Sequence, residues 1–436
     1  MKPISVGLLG IGTVGRGVWD VLNRNADEIR RRAGRAIRIS TVADKDTKRA
    51  SAIVKKGAQV VSDAFSVAKD RKIDIVVELI GGYTVAKDLV LEAIRHGKHV
   101  VTANKALLAT HGNEIFAAAQ KKKVMVAFEA SVGGGIPIIK ALREGLAANR
   151  IEWIAGIING TSNFILSEMR DKGLPFATVL KDAQKKGYAE TDPTFDIEGV
   201  DAAHKLTILS ALAYGIPMQF DKCFKEGIAK LTQMDIRYAE QLGYRIKLLG
   251  ITRRKARGIE LRVHPTLIPT RRLIANVEGV MNAILVKGDA VGATMYYGAG
   301  AGSQPTASAV VADLVDMTRL ITSDPEHRVP HLAFQPDQLA GTPILSIKEI
   351  ETSYYLRMRV KDRPGVLADI TRILADSKIS IDAMVQKEPG EGEKQVDIVM
   401  LTHQAIEKNV DAALKRIEKL PTVVGKVTRI RLEELL

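Results

Sequence analysis

The chain has 436 residues, 46% apolar side chains, one cysteine, and 64 Lys and Arg against 50 Asp and Glu for a net charge of +14. That length predicts two to four domains at ~100–200 residues each, and the apolar content excludes wholesale disorder. Cys223 alone cannot close an intramolecular disulfide, no run approaches the ~20 apolar residues that span a bilayer, and no aromatic interleaving or nucleic-acid-binding signature accompanies the basic excess, so the sequence predicts a cytoplasmic chain with neither membrane nor nucleic acid as partner.

Ile4, Val6, Leu8 and Leu9 form an apolar run that ends in Gly10-Ile11-Gly12-Thr13-Val14-Gly15. Val14, Val18, Val21, Leu22 and Ile29 follow at helical spacing, and Ile37–Ala43, rich in β-branched residues, closes at Asp44. Strand, glycine turn, helix and strand in that order predict a dinucleotide site: Gly10 for the tight turn, Gly12 for approach to a pyrophosphate, Gly15 for helix packing. Asp44, 29 residues after Gly15, is placed to bind an adenosine ribose. Lys45, Lys48 and Arg49 beside it would instead receive a 2′-phosphate, so NAD and NADP both stay open, with the local charge leaning to NADP. Eleven basic and four acidic residues fall in 21–60, which reads either as a solvated surface or as attraction for a phosphorylated small molecule.

Further strands are predicted at 73–79, His99–Thr102 and 124–128, with a helix over 84–96 between the first two. This alternation predicts a parallel sheet with helices on both faces. From Ser131 a glycine loop opens a region of mixed strands (151–158, 246–252, 284–287) and helices, and an apolar helix covers 307–321. Proline-rich residues 323–350 read as connector. The last 85 or so residues follow the order βαββαβ of a ferredoxin-like module, with a turn at Pro389-Gly390-Glu391-Gly392. The expected division is 1–130 plus 303–340, 131–302, a linker at 341–352, and 353–436.

Two clusters carry chemistry. Glu190, Asp192, Asp196, Glu198 and Asp201 fall within twelve residues and Lys205 follows. One reading is a solvated loop with an ordinary i,i+4 pair between Asp201 and Lys205; the other is an anionic pocket for a substrate ammonium with Lys205 held for proton transfer. Lys105 stands just past the end of a buried strand, where open parallel sheets place their ligands.

The segment Ala183 to Lys205, with Asn159-Gly160-Thr161-Ser162-Asn163-Phe164, Val101-Thr102-Ala103-Asn104-Lys105 and Tyr297-Gly298-Ala299-Gly300-Ala301-Gly302, resembles homoserine dehydrogenases over roughly residues 4–340. The tail, through Asp362-Arg363-Pro364-Gly365-Val366-Leu367, resembles an ACT domain, a small amino-acid-binding regulatory module. The fold so implied is α/β: a Rossmann-type parallel sheet domain, a mixed α+β substrate and dimerisation domain, and a ferredoxin-like ACT domain, in a monofunctional enzyme.

The resemblance implies reversible hydride transfer between NADP or NAD and the C4 of L-homoserine, giving L-aspartate 4-semialdehyde in threonine, methionine and isoleucine biosynthesis. By similarity Lys205 is the general acid/base, Lys105 lies at cofactor and substrate, and Glu190 and Asp201 hold the substrate with Asp196, Tyr188 and Thr161 as neighbours. Gly187 and Gly302 border the nicotinamide end, and Thr13 and Val14 the pyrophosphate. The family also implies a sodium-type monovalent cation at Glu129 and the carbonyls of Val132, Gly134 and Ile136. Feedback by L-threonine through the tail and a homodimer or homotetramer are expected. Two other readings remain: a phosphorylating aldehyde dehydrogenase, which needs a thiol that Cys223 is poorly placed to supply, and a non-catalytic sensor in which both lysines are expendable. The alternative for the tail is a dimerisation module that has lost ligand binding.

Overall fold

The computed structural model describes residues 2–387 and 393–435; the turn read at Pro389–Gly392 lies outside the described residues. The chain parts into two compact units. One comprises Met1–Gly160, Asp201–Cys223 and Val280–Thr342; the other comprises Thr161–Val200, Phe224–Gly279 and Pro343–Leu436.

The first unit is built on six parallel strands: β1 (Ile4–Leu9), β2 (Ile37–Ala43), β3 (Gln59–Val61), β4 (Ile75–Glu78), β5 (His99–Thr102) and β6 (Val126–Ala127). Their spatial order is β3-β2-β1-β4-β5-β6. Every residue of β4 and β5 is buried, as a parallel strand covered on both faces requires. The order reverses between β1 and β4, so ligands are expected at the carboxyl ends of these strands. Strand β3 and the helices Thr47–Val54 and Ala64–Lys69 were not read from the sequence; each is short and carries little periodicity. The helix after the glycine turn is two helices, α1 (Thr13–Arg24) and Ala26–Ala33, broken at Asn25; the second closes in left-handed Gly34 after Arg30–Arg32, which suit a helix C-terminus. Helix Ser303–Leu320 packs on this sheet through Ala307, Val310, Val311 and Leu314, joining Val18, Leu8 and Val77 in one core. The same unit carries an antiparallel sheet in which Met281–Gly288 pairs with both Ile151–Ile157 and Gly292–Ala299.

In the second unit Tyr244–Lys255 and Gly258–Pro269 form a long antiparallel hairpin. The tail has its βαββαβ order: Glu351–Lys361, helix Val366–Asp376, Ile381–Gln386, Gln395–Thr402, helix Glu407–Ile417 and Val423–Leu432, with the two-residue strand Ala405–Ile406 added. Its core joins Leu356, Met358, Ile370, Leu374, Ile398, Val410 and Ile417. The last strand does two jobs. It pairs antiparallel with Glu351–Lys361 and, at Arg431 and Leu432, parallel with Thr266 and Leu267 of the hairpin.

Candidate active site

Lys105 is the first residue of the helix Lys105–Lys122, directly past the carboxyl end of β5. Hydrogen bonds fix that turn: Thr102 Oγ1 donates to the buried Glu78 Oε2 at 2.7 Å, Asn104 N donates to Thr102 Oγ1 at 3.0 Å, and Asn104 Oδ1 caps the helix by accepting from Leu107 N at 3.1 Å. Asp201 and Lys205 share one face of helix Val200–Tyr214, which is buried from Asp201 to its end. That burial overturns the reading of a solvated i,i+4 pair, because desolvated charges persist only when paired.

The three side chains meet. Asp201 Oδ1 stands 2.8 Å from Lys105 Nζ, and Asp201 Oδ2 stands 2.7 Å from Lys205 Nζ. Burial alone would raise the Asp201 carboxyl, but the ammoniums of Lys205 and Lys105 outweigh it and hold it well below the usual carboxylate range. Lys205 Nζ also donates to the Ile158 carbonyl at 2.7 Å, and Asn159 Nδ2 donates to Asp201 Oδ2 at 2.8 Å. Neither Ile158 nor Asn159 was singled out from the sequence. Asn159 stood in plain sight in the Asn-Gly-Thr-Ser-Asn segment, whereas a backbone carbonyl leaves no signal in side-chain chemistry. Two ammoniums on one carboxylate leave a net positive cluster, suited to an oxygen that gains negative charge.

The glycine turn fits a dinucleotide. A Cβ at Gly15 would stand 2.1 Å from the Gly10 carbonyl oxygen, so only glycine lets the helix close on the strand there. A Cβ at Gly12 would meet no protein atom within 4 Å, leaving open space at the N-terminus of α1, where Thr13 and Val14 begin the helix. At the end of β2, Asp44 Oδ2 accepts from Ile11 N and its Oδ1 from Asp46 N, each at 2.9 Å. The carboxylate thus braces the glycine turn as well as closing β2, and Arg49 Nη2 lies 3.5 Å from it. Gly302, with φ +120°, precedes helix Ser303–Leu320, whose Ser303 Oγ donates to the Thr13 carbonyl at 2.8 Å.

Glu129 is buried, and its two carboxylate oxygens accept from Ile139 N at 2.8 Å and Lys140 N at 2.9 Å. Burial, with Asp313 close by, pushes this carboxyl up to about 7. Val132 and Ile136 are buried beside it, with Gly133 and Gly134 at positive φ between them.

The remaining residues lie in the second unit. Thr161 Oγ1 donates to the Tyr188 carbonyl at 2.6 Å, and the Tyr188 ring stands edge-on to Phe164 at 5.0 Å. Ser162 Oγ donates to the Asp196 carbonyl at 3.0 Å, and Gln184 Nε2 to the Glu190 carbonyl at 3.0 Å. Gly187 turns the chain with φ +73°, and the Glu190 side chain is exposed.

The family described as homoserine dehydrogenase matches residues 137–315, the homoserine dehydrogenase NAD-binding domain matches 10–129, and the ACT domain matches 354–422. The homoserine dehydrogenases of Pseudomonas aeruginosa and Neisseria gonorrhoeae are 61% and 60% identical to this chain, each over 100% of both sequences. The crystal structure of a homoserine dehydrogenase from Thiobacillus denitrificans has a TM-score of 0.96 at 70% identity, covering 100% of this chain and 99% of that one. Sequence and fold agree from end to end, and the chain belongs to the homoserine dehydrogenase family.

Proposed function

We propose that the Lys105–Asp201–Lys205 cluster carries the proton half of the homoserine dehydrogenase reaction in this chain, with Lys205 as the general acid/base at the substrate oxygen. The single observation behind this is the buried carboxylate shared by two ammoniums at 2.7 and 2.8 Å. A bound nicotinamide supplies or accepts the hydride at C4. In the reducing direction Lys205 stabilises the oxygen as it becomes negative and protonates it; in the oxidising direction it takes the hydroxyl proton. Asp201 keeps both amines in place and Lys105 shares the charge at the cofactor end. By family resemblance Glu190 and Asp196, with Tyr188 and Thr161, are assigned to the substrate, and Gly187 to the nicotinamide end. With this reading nucleotide binding is assigned to 1–130 plus 303–340, substrate handling to 131–302 and regulation to 353–436.

For the coenzyme, Arg49 lies 3.5 Å from the Asp44 carboxylate with Lys45 and Lys48 close by in the chain, and this local positive charge favours NADP. A sodium-type cation suits the loop at 132–136 by donor chemistry. Glu129 and the backbone carbonyls of Val132, Gly134 and Ile136 would hold the ion, an oxygen set with a single carboxylate that suits a monovalent cation. Its contribution would be to stiffen the loop.

The exposed edge strand Gly292–Ala299, with Tyr297 58% accessible, supports subunit pairing as a homodimer or homotetramer. In the tail, left-handed Gly365 opens helix Val366–Asp376, whose N-terminus suits an amino-acid carboxylate; the effector proposed from the family resemblance is L-threonine. One buried cysteine, with no described helix long and apolar enough to cross a membrane, supports the cytoplasm as location.

The deciding experiment is an initial-rate assay with L-homoserine and each coenzyme, with and without threonine. Homoserine-dependent, phosphate-independent reduction of NADP is expected, and Lys205→Ala should collapse kcat with little change in KM. Near-native kcat in that variant removes the assigned role. A faster NAD reaction removes the NADP preference.

A further inference from the structure

We infer that Asn159 is a positioning residue for this reaction: its carboxamide orients Asp201, so that two consecutive residues hold Lys205 from two sides. The inference rests on the assignment of Lys205 above.

The geometry is compact. The Ile158 carbonyl accepts from Lys205 Nζ at 2.7 Å. The next residue, Asn159, donates Nδ2–H at 2.8 Å to Asp201 Oδ2, the oxygen that takes Lys205 Nζ at 2.7 Å. Residues 158 and 159 therefore set two of the acceptors around the amine, one directly and one through Asp201.

Their own placement is stiff. Strand Ile151–Ile157 ends at Ile157, paired with Ala283, and a Cβ at Gly160 would stand 2.6 Å from the Val280 carbonyl oxygen. The turn is thus clamped on both sides of Asn159. Asn159 and Asp201 are 4% and 3% exposed, so water does not substitute readily for the amide, and hydrogen bonds to the carboxylate count for more than in solvent.

The residue type follows from charge. One carboxylate already faces two ammoniums, and an amide adds a donor without altering that balance. Alanine cannot donate. Aspartate has almost the same shape but donates only while protonated, and two carboxylates at hydrogen-bond distance cannot both ionise freely. Without the donor, Asp201 can rotate about its own axis, and an amine misplaced by a fraction of an ångström lowers turnover rather than binding.

The test uses the full-length enzyme carrying Asn159→Ala or Asn159→Asp. It reads kcat and homoserine KM from pH 6 to 9, coenzyme Kd by fluorescence and Tm. For Asn159→Ala the expected result is a kcat lower by about 10- to 100-fold, as for loss of a hydrogen bond to a charged group, with coenzyme Kd and Tm near wild type. For Asn159→Asp, kcat relative to wild type should fall as pH rises, because the ionised form cannot donate.

Two results overturn the inference: both variants keeping kcat within about two-fold of wild type, or both losing kcat and Tm together with no difference in pH profile. Lys205→Ala, assayed alongside, separates the two levels. If it is inactive while the Asn159 variants are fully active, this inference alone falls; if it too is active, the assignment beneath it falls.

Discussion

The Arg262 guanidinium and the Glu433 carboxylate meet at 2.5 Å, 171 positions apart in the chain, and both are buried. Arg262 also holds Glu260 at 3.0 Å, Glu433 also takes Arg253 at 2.9 Å, and the Glu433 amide donates to the Leu267 carbonyl. Two residues earlier, Arg431 bonds to Glu407 at 2.9 Å and Glu226 at 2.8 Å. The last strand of the ACT-like tail is therefore riveted to the Gly258–Pro269 strand by paired charges as well as by backbone.

Arg262→Leu should lower the stability of the second unit by about 3–5 kcal/mol, because it leaves Glu260 and Glu433 buried without their shared cation. Denaturant unfolding followed by tyrosine fluorescence checks this, and an unshifted midpoint would contradict it. The pH dependence has a definite sign. Burial would raise the Glu433 carboxyl, but Arg262 and Arg253 outweigh it and hold it at about 2 against an ordinary 4.5. Its contribution is therefore complete above pH 4.5 and lost as pH falls towards 2.

A second pH effect belongs to the first unit. His99 Nδ1 accepts from Met125 N at 2.9 Å and His331 Nε2 accepts from Val126 N at 3.0 Å, so two neutral imidazoles hold edge strand β6. Burial, helped by nearby arginines, pushes each ring down to about 4 from 6.5. Protonation is disfavoured in the folded state, so stability is lost as pH falls from about 6.5 to 4, by at most about 1.4 kcal/mol per pH unit for each ring. Amide hydrogen exchange at Met125 and Val126, corrected for its intrinsic pH dependence, should show lower protection at pH 5 than at pH 7. Equal protection would remove the effect.

Gly12→Ala and Gly15→Ala should separate folding from coenzyme binding. An added Cβ at residue 12 meets no protein atom, so Gly12→Ala should change Tm little while weakening coenzyme at least about ten-fold through contact with the pyrophosphate. At residue 15 the Cβ collides with the Gly10 carbonyl, so that variant should lose both Tm and binding. Full coenzyme affinity in Gly12→Ala would move the pyrophosphate elsewhere.

Arg49→Ala should raise KM for NADPH by about ten-fold, the loss expected for one charge-assisted contact to a 2′-phosphate, and leave KM for NADH almost unchanged. Equal effects on the two coenzymes would place Arg49 outside coenzyme discrimination. Relief of its 3.5 Å approach to Asp44 is too small a change to mimic the expected split.

Much of this molecule is written locally. The glycine turn, the β-branched run Ile37–Ala43 and the βαββαβ order of the tail announce themselves because backbone freedom and burial period act within a few residues. The same reasoning passes over Gly258–Pro269, all twelve of whose residues are buried although Glu260, Arg262 and His264 are polar. The Arg262 cation is buried between Glu260, two residues away, and Glu433, which no nearby sequence reveals.

The sequence by itself determined a dinucleotide-binding domain, a ferredoxin-like module over the last 85 or so residues, and which lysines and acids were worth watching. Only the tertiary structure decided that Asp201 is buried and shared between Lys105 and Lys205, that Asp44 braces the glycine turn, and that Asn159 stands behind the carboxylate. The physical reason is one of range. Helix and strand periods and glycine's backbone freedom are properties of neighbours, whereas the strength of an ion pair depends on how completely the rest of the fold removes it from water.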